Sequence, residues 1–122
     1  MRIGVLIVDD EPDVLDMLED ELEEHFEVVR AGSVEQAMRV LLEEARIRLA
    51  ILDARMPGGG GLGLLRAVRA AGRPLEAVLY SGEAHERLRA EAAALGARFV
   101  SKAEPLQVLV RTALELVRAA TG

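Results

Sequence analysis

The chain has 122 residues and a net charge of −6; 51% of it is hydrophobic, 30% charged and 2% aromatic, which suits one domain with an aliphatic core. The acidic balance argues against a nucleic-acid surface, which needs clustered positive charge, and so few aromatics leave almost no base-stacking platform. The absence of cysteine excludes a disulfide framework, a thiolate nucleophile and a Cys-based zinc site. MRIGVLIV is too short for a signal-peptide core, and no apolar run could span a bilayer, so a cytoplasmic protein without a membrane partner is expected.

Short apolar runs at Ile3–Val8, Val28–Ala31, Leu49–Leu52, Ala77–Tyr80 and Arg98–Val100 predict strands. Helical spacing fills the intervals. Val14, Leu15, Leu18 and Leu22 make one stripe, and acids from Glu11 to Glu24 cover the other face. Ser33-Val-Glu-Gln36 reads as a capping box ahead of Val34, Ala37, Met38, Leu41 and Leu42. Leu62, Leu65 and Val68 form a third stripe, stopped by Gly72 and Pro74. An alanine-rich helix is expected from Ala84 to Leu95, ending at Gly96. Pro105 suits the first turn of a last helix carrying Leu106, Leu109, Val110, Leu114 and Val117. Strand and helix repeated in this way imply an α/β fold, a parallel sheet with helices on both faces. Residues 3–8 and 49–52 are apolar throughout, as central strands must be, whereas EVVRA is mixed and suits an edge.

In an open parallel sheet, ligands bind beyond the carboxyl ends of the strands. Those ends carry Asp9-Asp10, Asp53, Ser81-Gly82 and Ser101-Lys102. If the first and third strands are neighbours, three carboxylates meet. Like charges so close raise one another's pKa or require a cation, and an all-oxygen donor set suits Mg²⁺. Of 15 basic residues only Lys102 is lysine, so this position calls for a compact point charge rather than a planar fork.

Taken together, Asp9-Asp10, the D-x-x-M-P-x-x-x-G segment from Asp53 to Gly61, Ser81 followed by a small residue, and Phe99 three before Lys102 resemble the receiver domain of bacterial response regulators. The resemblance covers the whole chain. It implies a flavodoxin-like receiver fold, a five-stranded parallel sheet in the order 2-1-3-4-5, and a single receiver domain over residues 1–122. It implies that Asp53 is the phosphoacceptor, taking a phosphoryl group from a histidine kinase, a phosphotransfer protein or a small acyl phosphate. Asp9, Asp10, Asp53 and the backbone carbonyl of Arg55 would hold Mg²⁺, Lys102 would pair with the phosphoryl oxygens, and Ser81 would hydrogen-bond one of them. Ser81 and Phe99 would be the switch pair, and the surface of the fourth helix, fifth strand and fifth helix would meet a downstream protein partner. Such a domain is a signalling switch rather than an enzyme with an external substrate.

The chain departs from the resemblance in places. Ala103 follows Lys102 where many relatives have proline, so a cis bond is not expected there. Arg55 sets a long cation beside the site, where pairing with Glu83 or Asp10 would alter how fast phosphate is lost. No effector domain follows Val117, and RAATG ends the chain, as for a stand-alone receiver or a piece of something longer. Gly61 matches the family position; Gly58 to Gly60 read as a flexible loop tip. His25 and His85 read as bland surface residues, poor for a phosphohistidine role. The competing reading is a pseudo-receiver that interacts without phosphorylation. A phosphate-ester hydrolase would want an acid two residues after Asp53, where Arg55 stands, and no G-x-G-x-x-G follows the first strand.

Overall fold

The computed structural model describes residues 2–83 and 85–121. Strands β1 (Gly4–Val8), β2 (Glu27–Ala31), β3 (Ile47–Leu52), β4 (Glu76–Ser81) and β5 (Arg98–Ser101) alternate with helices α1 (Pro12–Leu22), α2 (Val34–Glu43), α3 (Gly60–Ala70), α4 (Glu86–Ala94) and α5 (Leu106–Thr121). The strands form one parallel sheet in the order β2-β1-β3-β4-β5, as expected. Val8 lies opposite both Ala31 and Leu52, and Ser81 opposite Ser101. The ladder continues one residue past several strand ends: Asp9 N–H donates to Ala31 O, Asp53 N–H to Val8 O, and Lys102 N–H to Ser81 O. That extension fixes the backbone of three charged residues at one edge of the sheet.

Alternation along the strands sorts the core into two layers. Leu6, Val8, Ala50, Leu52 and Leu79 pack under α2, α3 and α4. Val5, Ile7, Leu49, Ile51, Val78 and Tyr80 pack under α1 and α5. β1 is buried along its whole length, whereas β2 is half-covered and pairs only with β1. Aliphatic side chains fill nearly all of this interior.

The helix ends show what local chemistry decides. Ser33 Oγ accepts from Gln36 N–H at 3.1 Å, the predicted cap. Gln36 Oε1, however, accepts from Gly32 N–H at 2.8 Å, one residue earlier than a regular capping box. The alanine-rich helix begins at Glu86 rather than Ala84; Ala84 itself lies outside the described residues. The peptide bond after Lys102 is trans, as expected. The glycine run corrects the sequence reading. α3 starts at Gly60, two residues before its apolar stripe, and Gly60 and Gly61 are buried. Gly60 has φ +66°, and a Cβ there would fall against the Ala54 carbonyl oxygen. A Cβ on Gly61 would stand 2.5 Å from Asp53 O and 2.8 Å from Leu52 Cβ. Gly60 is therefore no loose tip; it lets the first turn of α3 press against the end of β3.

At the opposite edge of the sheet two arginines tie down helix ends. Arg69 donates from Nε to Leu95 O and from Nη1 to Leu75 O, at 2.9 and 2.7 Å. Arg73 donates from Nη1 to Leu41 O and from Nη2 to Glu44 O and Ile47 O, at 2.7, 3.1 and 2.8 Å. The carboxyl ends of α4 and α2 thus receive cations from elsewhere in the chain, where the helix dipole favours them.

Candidate functional site

Beyond the carboxyl edge lies a crevice of about 330 Å³ lined by Asp10, Glu11, Asp53, Arg55, Ser81, Gly82, Glu83 and Lys102. Asp9 lies behind this lining and is 1% exposed; Asp53 is 8% exposed and Asp10 is exposed. One carboxylate oxygen from each of Asp9, Asp10 and Asp53 lies within 4.8 Å of the others. Acids at positions 9, 10 and 53 come together because β1 and β3 are neighbours in register.

Lys102 enters from the end of β5. Its ammonium donates to Asp9 Oδ2 at 2.9 Å and stands 3.8 Å from Asp53 Oδ2. It also sits 5.7 Å from the centroid of Tyr80, whose negative ring face favours a cation. Burial works against the charge on Lys102. The Asp9 hydrogen bond and the charges of Asp53 and Asp9 outweigh it, so the pKa lies above the ordinary lysine value. Burial, and then the charge of Asp9, push the Asp53 carboxyl above its usual range, against the opposing pull of Lys102 and the Arg55 N–H. The three acids are not equivalent. Asp9 already uses both oxygens, accepting from Glu11 N–H at 2.9 Å on Oδ1 and from Lys102 on Oδ2. Asp53 Oδ1 accepts only a long bond, 3.3 Å, from Arg55 N–H. Asp53 therefore keeps lone pairs for chemistry. The donor set is all oxygen with an open mouth, and it fits a hard divalent cation.

Ser81 is 2% exposed, and its Oγ accepts from Glu83 N–H at 3.1 Å, which leaves the hydroxyl proton free to donate. Phe99 lies opposite Leu79 in the ladder, on the sheet face that carries Ser81. Its ring is half-covered, and the Arg89 guanidinium from α4 stacks over it at 4.5 Å. Of the two partners expected for Arg55, the structure selects Glu83.

Two contacts near the site escaped the sequence reading. Arg89 carries no motif signal; only the packing of α4 brings it over Phe99. His85 is the N-cap of α4, its Nδ1 accepting from Leu88 N–H at 3.2 Å, while Nε2 faces Glu83 Oε2 at 3.5 Å. Histidine is not a usual capping residue, so sequence offered no cue. His25 stacks edge-on against Phe26 and touches none of the crevice.

Comparison with known proteins agrees with this arrangement. Residues 5–114 match the response regulator receiver domain family. The chain is 33% identical over 121 residues to "Probable chemotaxis protein CheY" of Rhizobium etli, covering 95% of this chain and 92% of that one. It is 43% identical over 70 residues to "Transcriptional regulatory protein AruR" of Pseudomonas aeruginosa, covering 53% of this chain and 29% of the relative. A smaller share, 16%, is covered of the hydrogenase transcriptional regulatory protein HoxA of Cupriavidus necator, so the chain spans less than a third of either transcriptional regulator. Among solved structures, a response regulator receiver protein from Pseudomonas putida superposes with a TM-score of 0.85 at 33% identity, with 98% of each chain covered. A receiver domain from Clostridium thermocellum gives 0.89 at 23% identity, with 98% and 97% covered, and speaks to the fold alone. Among the described residues no helix is long and apolar enough to cross a membrane. With its sheet order and its cluster of acids facing one ammonium, the chain belongs to the response regulator receiver domain family of two-component signalling.

Proposed function

We propose that the chain is a single receiver domain over residues 1–122 that accepts a phosphoryl group on Asp53 in a Mg²⁺-dependent reaction and thereby switches a partner-binding surface. The observation that carries this reading is the convergence of the Asp9, Asp10 and Asp53 carboxylates within 4.8 Å, with the Lys102 ammonium 2.9 Å from Asp9 and 3.8 Å from Asp53. A carboxylate oxygen of Asp53 forms the new bond to phosphorus while the bond from phosphorus to the donor, a phosphohistidine or acyl phosphate, breaks. The lone pairs on Asp53 favour it over Asp9 as nucleophile. Asp9, Asp10, Asp53 and the Arg55 carbonyl would hold Mg²⁺, which screens the anionic donor from the carboxylates and stabilises the charge of the transferring group. Lys102 then pairs with one phosphoryl oxygen and the Ser81 hydroxyl donates to another. That donation uses the proton that the Glu83 N–H bond leaves free and draws the Ser81 hydroxyl toward the phosphoryl group. Phe99, on the same sheet face, changes its packing with Ser81, and the α4–β5–α5 surface presents the result to a downstream protein. The kinase or phosphotransfer protein is the partner on the input side. The Arg55–Glu83 pair closes one side of the crevice and bears on how long the phosphate survives; an Arg55→Ala variant with an unchanged dephosphorylation rate rejects that role.

The test is intact mass after incubation with Mg²⁺ and a small acyl phosphate. One added phosphoryl group is expected, lost in base, absent without Mg²⁺ and absent in Asp53→Asn. A protein that gains no mass while binding its partner is instead a phosphorylation-independent interaction module.

A further inference from the structure

α1 and α5 lie side by side under one face of the sheet, and between them runs a groove of about 490 Å³ that shares no residue with the acidic crevice. Its floor is apolar, made by the half-buried Val110 and Leu114 of α5. Its two walls differ in sign. Glu21 and Glu24 stand on the α1 side, and Arg111 and Arg118 on the α5 side. Glu115, also on the α5 wall, is already paired with Arg98 at 3.4 Å, which leaves that wall net positive. Among the described residues, none of Glu21, Glu24, Arg111 and Arg118 has an ion-pair partner. Some other exposed charges pair, Arg30 with Asp16 and Glu19, Arg46 with Glu27 and Glu44, Arg66 with Glu91, while others such as Arg39 and Arg48 do not among the described residues, so it is the opposed signs of the two walls that single out the groove. One turn before Glu21, on the same flank of α1, Met17 is 41% exposed, and only Leu42 is a comparably exposed large apolar side chain among the described residues.

We propose that this groove is the interface of a two-fold homodimer. One surface carries an acidic wall, a basic wall and an apolar floor between them. A two-fold axis parallel to α1 and α5, just outside the groove, sets the α1 wall of each copy against the α5 wall of its partner. Glu21 and Glu24 then face Arg111 and Arg118 twice over, and the two floors of Val110 and Leu114 meet across the axis. This is the self-complementary arrangement that an isologous contact requires, with charge fixing the register and the apolar centre excluding water. The inference does not rest on the phosphoryl-transfer reading.

Sedimentation of the full chain tests it. The wild type is expected to associate to twice the monomer mass at low ionic strength and to dissociate as salt rises. The double variants Arg111→Glu/Arg118→Glu and Glu21→Arg/Glu24→Arg are each expected to stay monomeric, with unchanged circular dichroism, because each now meets itself with like charges. Mixed together, the two variants are expected to recover the dimer mass, since both sets of opposed walls again carry opposite signs. A foreign partner for this groove predicts no such rescue. A wild type that remains monomeric at millimolar concentration, a dimer that survives both double substitutions, or a mixture that fails to associate overturns the proposal.

Discussion

The two edges of the sheet use positive charge in opposite ways. At the amino edge, Arg69 and Arg73 spread five hydrogen bonds over the carbonyls of Leu95, Leu75, Leu41, Glu44 and Ile47. These bonds join the ends of α4 and α2 to the starts of β4 and β3, and a planar fork with fixed donors suits that purpose. At the carboxyl edge one ammonium faces two carboxylates, with a single short hydrogen bond and a crevice in front of it. A compact cation on a flexible stem can change partners there. One edge commits its cations to backbone carbonyls, with Arg73 Nε alone buried without a partner among the described residues; the other holds a cation that can exchange partners.

Substitutions that separate the two edges sharpen this contrast. Lys102→Ala is expected to slow phosphoryl acceptance on the order of 100-fold, the usual effect of removing one donor from a developing anion, and Lys102→Arg should not restore it. Intact-mass time courses read both. Arg73→Ala should do the reverse, lowering unfolding free energy by about 2–3 kcal/mol through its lost charge-assisted bonds while leaving the final phosphoryl yield on Asp53 intact. Arg73→Lys should recover little, since one ammonium cannot span three carbonyls. Denaturant titration alongside the mass assay tests both, and an Arg73 variant that loses phosphorylation as well breaks the division between the edges. His85→Ala should cost about 1 kcal/mol, the ordinary loss of a helix cap, with His85→Asn recovering most of it; thermal melts measure the difference.

The smallest effect concerns pH. The folded protein holds the Asp53 pKa above its unfolded value, so folding favours the protonated acid. In metal-free buffer that contribution is full at low pH and is lost as pH rises from the unfolded carboxylate range through the raised folded value. Asp53→Asn should therefore stabilise the metal-free protein at neutral pH. A lower melting temperature for Asp53→Asn contradicts the sign.

The strands were legible because central parallel strands must be apolar on both faces, as β1 and residues 49–52 of β3 are; the exposed Arg48 hid the start of β3 at Ile47. Their ends were harder to place, since Ser81 and Ser101 are polar yet still lie in the ladder. The crevice was legible because its charged residues interrupt apolar runs at the same topological position. The amino edge was not. Arg73 looks like any surface arginine, and its carbonyl partners lie 26 to 32 residues away, beyond local pattern. Gly60 was misread for a related reason. A glycine needed for a long-range close approach and a glycine in a slack turn look the same in sequence; only the Ala54 carbonyl tells them apart.

The lysine bond to Asp9 has one further consequence. With the Lys102 ammonium lodged among the acids, the crevice never stands as a bare triple anion; the chain supplies its own resident counterion. Any divalent ion must compete with that tethered occupant for Asp9, so ionic affinity there is set by an exchange rather than by simple filling. Once released, the ammonium is free within the length of one side chain to greet the next anion that arrives.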